Sequence, residues 1–151
     1  MKIMSKEFGE FDIKDEDIIR FNRPIFGFEG NKNFVILKDS PEDDIMYLQS
    51  VDNENLHFVI VDPYAIMPEY APRLLKEDID ALKINKSEVS ELRYVLIAII
   101  TENIENSVVN LKNPIVINSK NKQAIQAMLE NEDYVMRYPL FPNIKAGDSS
   151  C

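Results

Sequence analysis

The sequence predicts a mainly β protein, a small closed or split β-barrel with a short helical insertion around residues 73–91. Three observations predict it. Short runs of β-branched and aromatic residues recur, each bounded by polar or turn-forming residues, at the spacing of an all-β barrel or sandwich. The apolar period changes to a helical one most clearly from Arg73 to Leu82. The 151 residues hold no repeat, no low-complexity tract and no linker long enough to separate domains. Residues 1–141 are therefore expected to form one barrel-like domain, and residues 142–151 a mobile polar tail ending in Cys151.

Lys2 to Ile13 reads as two strands joined at Phe8-Gly9, the glycine allowing the positive φ of a tight turn. Strands are then expected over Asp17–Phe21, Asn33–Leu37, Ile45–Ser50 and His57–Asp62, where Asp62-Pro63 ends the run because proline has no N–H for a ladder. From Arg73 to Leu82, Leu74, Leu75, Ile79 and Leu82 share one helical face, while Lys76, Glu77, Asp78 and Asp80 lie elsewhere. A second short turn is expected to start at Ser87 as its N-cap. Arg93–Thr101 is apolar enough to be buried on both faces in mid-sheet. Val108–Leu111 and Pro114–Asn118 read as a pair, with Lys112-Asn113 as the hairpin turn. Gln123–Leu129 fits helix by propensity and strand by alternation, and the residues alone do not decide.

Composition narrows the function. Lys and Arg number 17 against 26 Asp and Glu, a formal charge of −9, which argues against nucleic acid as a direct partner: phosphates are held by clustered cations that release counterions. One histidine, His57, and one cysteine, Cys151, leave little for zinc sites, triads or thiol catalysis, and a single cysteine makes no internal disulfide. His57 opens an apolar strand, where a packed or hydrogen-bonded role is expected. Glycines at 9, 27, 30 and 147 spell neither a phosphate loop nor a dinucleotide fingerprint, and the acidic run from Asp39 to Asp44 lacks the spacing of a calcium loop. No catalytic residue, metal site or cofactor is expected. The N-terminus turns charged at once, and the longest apolar run, Tyr94 to Ile100, is far short of the ~20 residues that span a bilayer, so no membrane partner and a cytoplasmic location are expected.

Several strings, in order, resemble the flagellar assembly factor FliW family of bacteria: Phe8-Gly9, Gly27-Phe28-Glu29, Leu48-Gln49-Ser50, Val61-Asp62-Pro63-Tyr64, Val109-Asn110-Leu111, Pro114 to Asn118, Lys120-Asn121 and Arg137 to Phe141. Together they span roughly residues 1 to 141, and the ordered set rather than any one string makes the resemblance. The chain departs from the family pattern at Phe21 to Phe28, where Pro24 replaces a glycine and fixes φ near about −65°, and at Tyr138, where histidine is common.

The resemblance implies a non-enzymatic cytoplasmic regulator with a small β-barrel fold, a strand at Gln123–Leu129, and two protein partners: the RNA-binding translational repressor CsrA, which it antagonises, and flagellin. A −9 domain would meet a basic partner through its acidic loops, and Asp15, Glu16, Asp17, Asp43 and Asp44 are the residues expected to form that rim. Flagellin would take a groove with aromatic anchors. The chain alone is expected to be a monomer. The alternatives are a small-molecule-binding barrel, which needs an open lumen, and an enzyme using a carboxylate pair, which needs a defined pocket.

Overall fold

The computed structural model describes residues 1–38 and 40–141; Asp39 and the expected tail at 142–151, Cys151 included, lie outside the described residues. The chain opens with a hairpin, β1 (Lys2–Ser5) and β2 (Gly9–Asp12), turning at Gly9 with φ +74°. The main sheet contains β3 (Ile19–Phe21), β4 (Asn33–Leu37), β5 (Ile45–Ser50), β6 (His57–Val61), β7 (Arg93–Ile99), β8 (Val108–Val109), β9 (Ile115–Asn118), β10 (Gln123–Gln126) and β11 (Tyr138–Pro139). Its order is β11-β8-β7-β6-β5-β4-β3-β10-β9, and a further β7–β9 pairing closes seven of the strands into a barrel. All pairings are antiparallel except β3 with β10. Closure removes the sheet edges along that ring.

Alternation along the strands sorts the apolar residues into layers. Phe34, Leu48, Ile60, Val95, Ile115 and Ala124 belong to one cluster, none more than 1% exposed, that fills the lumen. A lumen filled this way counts against a ligand held inside it. The opposite faces are covered from outside. The β1–β2 hairpin lays Ile3 over Val35, the α2 region lays Leu82 over Val116 and Ile125, and the stretch around Tyr70 covers Leu96, Ala98 and Val109.

Two polar pins fix the covers. Gln49, fully buried, accepts from Ser5 Oγ at 2.7 Å and donates its amide to the carbonyls of Ser50 and Leu56 at 3.1 Å, joining the hairpin to the β5–β6 loop. Asp78, 2% exposed, pairs with Arg23, while Asn22 Nδ2 donates to the Ala81 carbonyl at 2.8 Å. Together they tie α2 to the loop after β3.

The helical insertion is shorter than its sequence pattern. Besides α1 (Pro63–Ile66), which sequence reading missed, the helix is α2 (Lys76–Ala81). Arg73 is drawn out of the helical run by tertiary bonds: its N–H donates to Asn131 Oδ1 at 2.7 Å and its carbonyl accepts from the Glu130 N–H at 2.9 Å. The second turn is 3-10, Lys86–Glu91, with Asn85 rather than Ser87 at its N-cap. The expected 108–118 hairpin does not form. Ala98 and Ile99 of β7 pair with Val109 and Val108, whereas Arg93 to Val95 pair with β9, so one edge of β7 takes both segments. Between them the Asn110 side chain accepts from the N–H groups of Lys112 and Asn113 at 3.0 and 2.9 Å, a local turn that redirects the chain. Gln123–Gln126 is a strand, and Ala127 and Leu129 continue by donating to Pro114 and Lys112 carbonyls. His57 is packed 5.9 Å from the Tyr47 ring, but among the described residues its buried Nδ1 has no hydrogen-bond partner.

Candidate functional site

Strand directions divide the barrel into two ends. β3, β5, β6, β7, β9 and β10 each place one terminus near Asp17, Asp44, Asp62, Arg93, Asn118 and Gln123, and the last residue of β4 leads into Lys38. The two acidic segments singled out in the sequence therefore meet at the same end, although a whole hairpin of chain separates them.

Each is held by a turn of its own making. Asp15–Asp17 is a 3-10 turn in which the Asp17 carboxylate reaches back to accept from the Lys14 N–H at 2.9 Å, leaving Asp15, Glu16 and Asp17 all exposed. In the β4–β5 loop Asp43 accepts from the Ser40 N–H at 3.1 Å and returns its own N–H to the Ser40 carbonyl, so Asp43 is half-buried while Asp44 faces solvent. Asp62 N-caps α1, accepting from the Tyr64 N–H at 2.9 Å ahead of Pro63.

These loops border two clefts. One, of about 340 Å³, is lined by Asp43, Asp44 and Asp62 together with Lys38, Tyr64 and Arg93. The other, of about 350 Å³, is lined by Asp12, Glu16 and Asp17 together with Lys122 and Arg93. Among the described residues Arg93 is the one side chain common to both. Six carboxylates against Lys38, Arg93 and Lys122 leave this end negative and open to solvent, which favours encounter with a basic surface.

The other end is apolar. Ala98 is the last residue of β7 in register with β6, and across its other edge it pairs with Val109 of β8, so Ile99 is paired with Val108 alone. The face of Ile99 that the lumen would have taken is thus uncovered, and Ile99 is 54% exposed. It borders a groove of about 270 Å³ with Ile97, Val108 and Met136, edged by Asn110 and Arg137. Phe28 packs edge-on against Phe58 at 5.0 Å on the same end, and Phe26 beside it is 54% exposed. Sequence reading expected Arg93–Thr101 to be buried on both faces; exposed Ile99 and Ile100 correct that for its end.

Tyrosines form a third group on the barrel's outer wall. Tyr70 stacks on Tyr134 at 4.9 Å and donates to the Leu111 carbonyl at 2.8 Å. Burial, with Tyr134 and Tyr94 nearby, pushes its hydroxyl well above the usual tyrosine value, and burial raises Tyr94 to about 12. This cluster is structural. Among the described residues no group of three or more His, Cys, Asp or Glu side chains is placed to hold a metal ion, and no helix is long and apolar enough to cross a membrane.

Comparison with known proteins decides the family. Residues 2–140 match the family model described as FliW protein. The chain belongs to the FliW family. It is similar to the flagellar assembly factor FliW of Thermoanaerobacter pseudethanolicus, 37% identical over 146 residues that cover 96% of each chain. The factor of Caldanaerobacter subterraneus subsp. tengcongensis is 36% identical, again over 96% of each. A crystal structure of the flagellar assembly factor FliW superposes with a TM-score of 0.84 at 32% identity, covering 94% of this chain and 98% of that one. The FliW barrel, its closure and its few short helices are thus shared with a solved structure.

Asp12, Asp62 and Arg93 at the acidic end, and Ile99, Val108 and Met136 at the apolar one, were not singled out by sequence reading. Asp62-Pro63 did contain a signal, since Asp before Pro is an N-cap followed by N1 as well as a strand terminator. For Arg93 and Ile99 no local signal exists; their roles come from what pairs with β7.

Proposed function

We propose that this chain is a non-enzymatic, cytoplasmic regulator of flagellin synthesis and flagellar assembly that binds CsrA, relieving its repression of flagellin translation, and also binds flagellin. When flagellin accumulates it occupies the factor and CsrA is released to repress; when flagellin is exported the factor recaptures CsrA. The observation that supports a CsrA surface is the gathering of Asp15, Glu16 and Asp17 with Asp43 and Asp44 around one barrel end, because clustered opposite charge speeds encounter with a basic protein and favours it over others. The groove at the opposite end, with Ile97, Ile99, Val108 and Met136, is the natural seat for the apolar face of a flagellin helix. Seats at opposite ends make the switch a coupling between sites, in which each partner weakens the other by the same factor.

Calorimetric titration with CsrA and flagellin from the same bacterium tests this. The reading predicts a complex with each alone and weaker CsrA binding once flagellin is present. Equal CsrA affinity with and without saturating flagellin would overturn the switch.

A further inference from the structure

Arg93 is an anomaly at the acidic end. It opens β7, is exposed, and stands where the two carboxylate-lined clefts meet, yet among the described residues no carboxylate lies within ion-pair distance of its guanidinium. Among the described residues its side chain makes one polar contact, Nη2 to the Met46 thioether sulfur at 3.4 Å, a weak acceptor. Met46 is 3% exposed and belongs to the lumen cluster, so the guanidinium rests on the rim of the packed core. The backbone beneath is fixed by the pairing of Arg93 with Ile117. A guanidinium offers five donors in a planar fork, and nearly all of these remain unspent.

Resting on the CsrA reading above, we propose that Arg93 is the anchor of that interface: the partner presents an acceptor, a carboxylate or a row of backbone carbonyls, at the centre of a basic surface, and Arg93 takes it while the surrounding Asp and Glu side chains meet the basic rim. The charges divide the work. The exposed carboxylates act at long range and set how fast the partner arrives. Arg93, seated between the clefts, makes short-range bonds that form after docking and set how long it stays, as arginines at interface centres do. A purely electrostatic lure has no use for this cation, which only dilutes the field.

The two accounts predict opposite signs for the same substitution. Association and dissociation of CsrA are followed by surface plasmon resonance on the full chain, at low and high salt, for wild type, Arg93→Ala, Arg93→Lys and Asp43→Lys/Asp44→Lys. Removing Arg93 makes the end more negative, so association should be unchanged or up to about three-fold faster, while dissociation accelerates about ten-fold and the net affinity falls. Arg93→Lys keeps the charge and loses the fork, and should keep wild-type association with faster dissociation. Arg93→Ala complexes that dissociate no faster than wild type would overturn the anchor while leaving the CsrA reading intact, provided Asp43→Lys/Asp44→Lys still slows association. No complex with wild type would overturn the CsrA reading and the anchor with it. Unchanged thermal melting of Arg93→Lys separates lost contacts from lost fold.

Discussion

The two ends of this barrel are made by the same seven strands and reach opposite surface chemistries by different routes. At the acidic end the character comes from the loops: Asp17, Asp43 and Asp62 each use one carboxylate oxygen to close a turn, and the neighbours Asp15, Glu16 and Asp44 are left pointing outward. At the apolar end the loops matter less than a change of partner. On one edge β7 exchanges β9 for β8, on the other its pairing with β6 ends at Ala98, and core-type residues, Ile99 foremost, become surface. A charged surface here is written in turn residues, an apolar one in strand pairing.

The largest effect comes from the support that both ends share. Leu48→Ala, at a fully buried lumen position, should cost about 2–5 kcal/mol in urea or guanidinium unfolding, and binding of both partners should fail together as the fold is lost. Asp43→Lys/Asp44→Lys should slow CsrA association about ten-fold at low salt and much less at high salt, with flagellin affinity unchanged, as stopped-flow and calorimetry would show. Ile99→Glu should do the converse, lowering flagellin affinity about ten-fold and sparing CsrA kinetics.

The smallest effect at neutral pH belongs to the wall between the ends. The folded-state hydroxyl of Tyr94 is raised to about 12 from an unfolded value of 10.0, so its contribution is full below pH 10 and is lost as pH rises from there through 12. Thermal melts should fall across that window, and Tyr94→Phe should flatten the decline; an unaltered slope in that variant would remove Tyr94 from the account.

Much of the acidic end was legible in the sequence and little of the apolar end. Strands Asn33–Leu37 and Ile45–Ser50 were expected with the bounds they have, because alternation and flanking turn residues agree there. Asp15 to Asp17 and Asp43-Asp44 were picked by charge density, and local turn bonds that depend on neighbouring residues keep them exposed. Arg93 to Thr101 was read as buried mid-sheet because apolar continuity is the same whether a strand keeps neighbours on both edges or loses one. The helix expected from Arg73 lost its first turn to bonds with Glu130 and Asn131, residues far along the chain that no local pattern anticipates. Val108–Leu111 and Pro114–Asn118 looked like a hairpin by proximity, but both are claimed by one edge of β7.

That the two ends are separate protein-binding surfaces is tested most directly by hydrogen exchange of the chain in each complex. With CsrA, protection should rise in residues 12–20, 40–47 and 92–94 and stay unchanged in 97–110. With flagellin, protection should rise in residues 26–30, 97–110 and 135–138 and stay unchanged around Asp43 and Asp44. The same footprint from both partners, or CsrA protection confined to the groove at Ile99, would contradict it.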